Sequence, residues 1–305
     1  MTVMIPFEDG QKHLDWIGLT DALAVGHLRP KATVEDVFLY RDPDTLLNRS
    51  AWIDGMGLAI KCATIFPDNR KTDTPMIHGA VNLFSDSDGQ LEAILDFHLV
   101  TKWKTAGDSL LAARRLARPD SKNILIVGAG TVGRSLWQAY GAAFPDARFK
   151  IWNRSLEGAK QFAHDCEGVD VANDLEAAVR EADIITSATM TTEPIIKGDW
   201  LQAGQHVDLI GAYRPDMREV DDVALQKSRI FVDSYETTMG HIGELKIPLE
   251  AGTIAPEQVI ADYYEPERFL RGADDDITLF KNGGGAHLDL MTSRYILDVW
   301  KGRAA

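Results

Sequence analysis

The chain has 305 residues, 45% of them apolar and 26% charged, with a formal net charge of −14. That balance describes a globular protein long enough for two domains, excludes a disordered chain, and offers no cationic face through which nucleic acid would release counterions. No apolar run is long enough for a membrane, the start MTVMIPFEDGQKHLDW lacks a secretion signal, and Cys62 and Cys166 have neither CxxC nor metal-like His spacing, so a cytoplasmic protein with two buried thiols, no disulfide framework and no metal is expected.

In chain order, VFLYRD, TLLNRSAWID, GLAIKCATIF, MIHGAVNLFS and LEAILDF are strand-like, with SDSDGQ as a hairpin turn between the last two, and together they predict a mostly antiparallel sheet. Lys61 stands in the middle of GLAIKCATIF, where an unpaired ammonium is costly to bury. Two readings stay open. In one, which spacing slightly favours, Lys61 belongs to an edge strand and discourages aggregation. In the other it faces an anionic substrate together with Arg49 from the preceding strand and Lys104 from WKTAGDS. His78 reads as a core or surface histidine. The segment TAGDSLLAARRLARPD predicts a helix linking two domains, with Leu110, Leu111 and Ala113 on its apolar side and Pro119 just past its end; Lys104 and Thr105 alone could mark no more than its start.

From Asn123 onward, strands rich in Ile and Val alternate with amphipathic helices, the pattern of a parallel sheet covered on both faces. Gly128, Gly130 and Gly133 follow the strand NILIV, and Thr131 and Val132 open the helix after it. This context lets backbone approach a pyrophosphate at a positive helix end. The second strand ends at Trp152, where an Asp or Glu would receive the ribose 2′-hydroxyl of NAD. Asn153, Arg154 and Ser155 stand there instead and suit a 2′-phosphate, which makes NADP(H) the expected cofactor and leaves NAD(H) possible. Ser187, Ala188 and Thr189 end the strand DIITSAT, at a sheet edge where small residues permit close approach of a cofactor or pack against the glycine turn. Further on, Asp274, Asp275 and Asp276 read as a solvated charge run. FKNGGGAH, with Asn282 and Gly283, offers backbone donors to a ligand or a hinge, and a final helix through MTSRYILDVW returns to the first domain.

Lys61 followed by FPDN, then GAVNLFSDSDGQLEAIL, TKWKTAGDSLLAARRLAR, VGAGTVG and ITLFKNGGGAHLDL, resemble in order and spacing the ornithine cyclodeaminase and mu-crystallin family. The resemblance implies an α/β fold: a Rossmann-type doubly wound parallel sheet over 118–288, with a mostly antiparallel α+β substrate and dimerisation domain formed by 1–117 with 289–305. It implies a homodimer acting on small amino or imino acids. It carries substrate-carboxylate binding to Lys61, Arg49 and Lys104, with Asn282 and Gly283 beside them, and places Thr105 with the cofactor residues. Lys104 keeps the charge of the family's arginine but loses its bidentate fork.

In GAYRPDMRE, Tyr213 stands where the family's cyclodeaminases and alanine dehydrogenases place an aspartate. Its presence points to the reductase branch, with Lys61 and Tyr213 as the catalytic candidates. The expected activity is NADPH-dependent reduction of 1-pyrroline-2-carboxylate or 1-piperideine-2-carboxylate to proline or pipecolate. Alternatives are an NAD-using ornithine cyclodeaminase or amino-acid dehydrogenase, a reductase of an acyclic imine such as iminosuccinate, or an NADPH- or small-ligand-binding protein.

Overall fold

The computed structural model describes residues 2–72 and 74–302. The chain divides into two compact units, residues 1–104 with 285–305, and residues 105–284. The joins read from sequence, 117/118 and 288/289, fall further along. The helix Phe97–Leu116 runs unbroken through the first division, so no change of composition marks it.

The first unit is built on a six-stranded sheet in the order β1-β6-β5-β4-β3-β2. Its strands are β1 (Val3–Ile5), β2 (Thr33–Arg41), β3 (Asp44–Ile53), β4 (Gly57–Ile65), β5 (Ile77–Phe84) and β6 (Leu91–Asp96). All pairs are antiparallel except β1 with β6. The turn SDSDGQ closes as expected, with Ser85 N–H donating to Gln90 O and Gly89 taking φ +67°. Along β4 the residues Ala59, Lys61 and Ala63 share the buried face, against which the helix Ala286–Trp300 packs. The two alanines leave room for the lysine stem between them. β4 lies between β3 and β5, so Lys61 is not on an edge strand and the aggregation-blocking reading is corrected.

Two helix starts also differ from expectation. Asp96 accepts the N–H of Leu99 and starts the long helix at Phe97, so Lys104 and Thr105 lie inside it and not at its start. The strand-like run LEAILDF hides this cap, because its last apolar residue belongs to the helix. The final helix likewise begins at Ala286, ahead of MTSRYILDVW.

The second unit carries an eight-stranded sheet, parallel throughout, in the order β13-β12-β14-β11-β10-β7-β8-β9. Its strands are β7 (Asn123–Val127), β8 (Arg148–Trp152), β9 (Val169–Val171), β10 (Ile184–Ser187), β11 (His206–Leu209), β12 (Ser228–Val232), β13 (Val259–Ala261) and β14 (Ile277–Lys281). Ile124 to Val127 and Ile184 to Ser187 are buried on both sides, which is why these strands read as continuous apolar runs. The strand order reverses between β7 and β10, and the carboxyl ends at such a reversal form the ligand crevice of an open α/β sheet. The stretch FKNGGGAH is loop only from Asn282 onward; Phe280 and Lys281 end β14, which is inserted between β11 and β12.

Among the described residues no helix is long and apolar enough to cross a membrane, and no His, Cys, Asp or Glu group could hold a metal ion. Cys166 is buried, while Cys62 is half-buried and not fully enclosed as expected.

Candidate active site

At the carboxyl end of β7 the chain turns through Gly128 into the helix Thr131–Ala143. Gly128 has φ +113°, and a Cβ there would meet Ala188 O at 2.8 Å; this glycine is required by the protein's own packing. At Gly130 a Cβ would find nothing within 4 Å. Gly130 is the helix N-cap, no side chain caps it, and no acidic residue lies in the first turn. Open space, free backbone N–H groups and a positive helix end together fit a dinucleotide pyrophosphate. Gly133 meets the backbone of Gly128, so its role is close packing of helix on strand. Thr131 is exposed, Val132 is half-buried, and Thr131 O accepts the hydroxyl of Ser135.

Past β8, Asn153 Oδ1 accepts the N–H of Ala129 at 3.2 Å and its Nδ2 donates to Ser155 O at 3.0 Å. Ser155 caps the next helix by accepting the N–H of Gly158. Asn153 thus ties the glycine turn to the end of β8. Arg154 is exposed and makes no ion pair among the described residues, and no carboxylate occupies 152–156.

The ends of β10 and β11 are held together by a residue that pattern reading missed. Glu219 is fully buried and accepts the hydroxyl of Ser187 at 2.5 Å, the N–H and hydroxyl of Thr189 at 2.7 Å each, and the N–H of Gly211 at 2.7 Å. Gly211 packs on Thr189 so closely that any Cβ would strike its backbone. Glu244, also buried, accepts the N–H groups of Glu219 and Val220 at 2.7 and 3.1 Å. Burial and the charge of Glu219 push the Glu244 carboxyl up to about 7. Burial likewise raises Glu219, opposed by Lys281, whose buried ammonium donates to Leu209 O and Asn282 O. A carboxyl whose folded pKa lies above its unfolded value stabilises the fold most below the unfolded pKa. That stability is lost as pH rises to the folded one. Glu244 therefore contributes a fall in stability between about pH 5 and about pH 7, set against the rise contributed in the same range by His206 and His287, which burial keeps neutral. The slope of melting temperature against pH should therefore become more positive in Glu244→Gln than in wild type, while Asp208, raised to about 6 by burial, still titrates in the direction of Glu244. A slope unchanged in the variant would remove Glu244 from this account.

In the first unit Arg49 and Lys61 are register partners on β3 and β4. Like charges so placed repel, so the sheet gains nothing from the pairing by itself. Arg49 Nε donates to Asp36 across β2 at 3.0 Å. Lys61 and Lys104 are each 5% exposed. Both reach the same carboxylate oxygen, Asp289 Oδ1 on the final helix, at 3.0 and 3.5 Å. The Lys61 ammonium also lies 4.6 Å from the Phe97 ring centroid. Burial raises the Asp289 carboxyl, but Lys104, Lys61 and Arg49 outweigh burial and hold it below its ordinary value. His287, two residues before Asp289 on the same helix, is kept neutral by burial, with His27 and Lys104 adding to the effect. Arg49, Lys61 and Lys104 are thus gathered in one unit, as expected, around an aspartate that lies in the ITLFKNGGGAHLDL motif but was given no role from sequence.

The other candidates lie in the second unit. Asn282 is buried, and its Nδ2 donates to Thr105 O and Ser109 Oγ, both at 3.0 Å. Thr105 is half-buried, and Gly283 is crowded by Thr238 and Asp233. Tyr213 follows β11 and is 60% exposed. His78, in the first unit, is exposed on β5.

A sequence model of the Ornithine cyclodeaminase/mu-crystallin family matches residues 51–304. The Delta(1)-pyrroline-2-carboxylate reductase of Paracoccus denitrificans is 46% identical over 98% of this chain and 97% of its own length. The solved Delta(1)-pyrroline-2-carboxylate reductase of Thermococcus litoralis, in complex with NADH and L-proline, superposes with a TM-score of 0.87. It is 25% identical, with 98% of each chain covered. An archaeal alanine dehydrogenase, solved as a dimer with bound NAD, reaches a TM-score of 0.88 at 25% identity, covering 99% of this chain and 97% of its own.

Proposed function

The chain belongs to the ornithine cyclodeaminase/mu-crystallin family, and from that premise we propose that it is an NADPH-dependent reductase of a small cyclic imino acid. The substrate is 1-pyrroline-2-carboxylate or 1-piperideine-2-carboxylate, and the product proline or pipecolate. One observation carries the reading: two desolvated ammonium groups, Lys61 and Lys104, converge on one point beside Arg49 in a protein of net charge −14. Such a cluster selects a carboxylate and fixes its orientation, so that hydride transfer to the adjacent C=N carbon becomes effectively intramolecular. The nicotinamide, when bound, supplies the hydride. Glu219 holds the Ser187–Thr189 and Gly211 loops that would border it. Tyr213 offers a hydroxyl in place of the carboxylate that deamination uses, which supports reduction. The 46% identity to the Paracoccus enzyme supports the same reaction.

The preference for NADPH rests on Asn153, Arg154 and Ser155, and it differs from the NADH bound by the Thermococcus relative. A charge-assisted hydrogen bond contributes about 1.5–3 kcal/mol, so Arg154→Asp should lower kcat/KM for NADPH about 10- to 100-fold and leave that for NADH little changed. The deciding experiment follows oxidation of NADPH and NADH with freshly generated 1-pyrroline-2-carboxylate, beside an ammonia assay with ornithine and NAD. Imine turnover with NADPH preferred supports the proposal. Ammonia release without imine turnover would replace it with cyclodeamination, and equal use of both cofactors would remove the role given to Arg154.

A homodimer is part of the proposal. β2, the outer strand of its sheet, exposes Val37, Phe38, Leu39 and Tyr40, an apolar edge that needs cover. Sedimentation at the mass of a single chain would refute it.

A further inference from the structure

We propose that Asp289 sets the charge of the carboxylate pocket and thereby makes the protein select imino acids with one carboxylate over those with two. The inference rests on the reading of Lys61 and Lys104 as substrate-carboxylate ligands and adds what that reading does not contain, the limit on substrate charge. Asp289 is 1% exposed and comes from the final helix, far in sequence from either lysine. Its Oδ1 lies within ion-pair distance of both ammonium groups. It therefore removes one positive charge from the place where the substrate carboxylate would bind, while keeping both lysines aimed at one point. Arg49 is in turn held by Asp36, so the nearby guanidinium is also partly neutralised. Neutral His287 adds no charge. In surroundings this dry, a substrate with a second carboxylate brings a negative charge that the lysine pair is already too neutral to match.

Asp289→Asn preserves the shape and an oxygen that can accept from Lys61 but returns one positive charge. The variant should raise the ratio of kcat/KM for iminosuccinate over 1-pyrroline-2-carboxylate by about tenfold or more. A second substitution supplies the test that a merely structural role does not pass. Asp289→Asn combined with Lys104→Gln restores the wild-type charge, and the ratio should return to the wild-type value. The double variant leaves one buried ammonium, Lys61, without the Asp289 charge where Asp289→Asn leaves two, so it serves where Asp289→Asn alone fails to fold; it must then keep the wild-type preference. Binding is read separately from turnover, as the rise in melting temperature given by pyrrole-2-carboxylate and by pyrrole-2,5-dicarboxylate. An Asp289→Asn protein that loses both substrates equally, or a double variant that keeps the altered ratio, overturns the proposal. A wild-type protein that neither reduces the cyclic imine nor is stabilised by pyrrole-2-carboxylate overturns the carboxylate-site reading itself, which is a different and distinguishable failure.

Discussion

Lys61→Met is expected to lower kcat/KM for the cyclic imine about a hundred- to a thousandfold, because removing a desolvated charge from its partner costs about 3–4 kcal/mol. Methionine keeps the length of the stem between Ala59 and Ala63, so the loss reports on the ammonium more than on packing. Stability should fall as well, since breaking a buried ion pair costs about 3–5 kcal/mol and leaves Asp289, among the described residues, with only Lys104 in ion-pair reach. The two effects separate in a combined variant: Lys61→Met with Asp289→Asn should recover much of the melting temperature and none of the activity. Steady-state kinetics beside thermal melts decide it. A single variant whose kcat/KM stays within threefold of wild type would show that Lys61 is a structural cation and not a substrate ligand.

Gly130→Asp should separate stability from function in the opposite sense. Gly130 has φ −81°, a conformation open to any residue, and a Cβ there meets nothing within 4 Å. Aspartate is also among the best N-cap residues, and the position has no side-chain cap, so the variant should be as stable as wild type or more stable by a few tenths of a kcal/mol. The same carboxylate would stand where the pyrophosphate approaches, and like charges so juxtaposed cost several kcal/mol, a loss of cofactor affinity of about a hundredfold or more. Gly128→Ala is the contrasting control. It places a Cβ 2.8 Å from Ala188 O at φ +113°, so its melting temperature should drop. Titration of NADPH into folded Gly130→Asp protein is the measurement, and retained affinity would mean that the open space at this helix end is not the pyrophosphate site.

What the sequence determined alone is whatever depends on neighbours a few residues away. The β2 to β6 strands, the SDSDGQ turn, the parallel strands β7, β8, β10, β11 and β12 and the glycine turn at Gly128 to Gly133 were legible, because alternation, continuous apolar runs and backbone freedom are written locally, whereas β9, β13 and β14 were not read. Arg49, Lys61 and Lys104 were legible as a cation group partly because a charge in an apolar strand violates the local pattern, and partly because their motifs resemble a known family. The tertiary structure decided the charges that answer them. Asp289 is separated from Lys61 by 228 positions and Glu219 from Ser187 by 32, and although each lies in a quoted stretch, HLDL and DMRE, nothing local names the partner it will meet. Only folding brings these carboxylates out of water and against their partners. In that dry setting Asp289 answers the two buried lysines, and Glu219 holds the loops after β10 and β11.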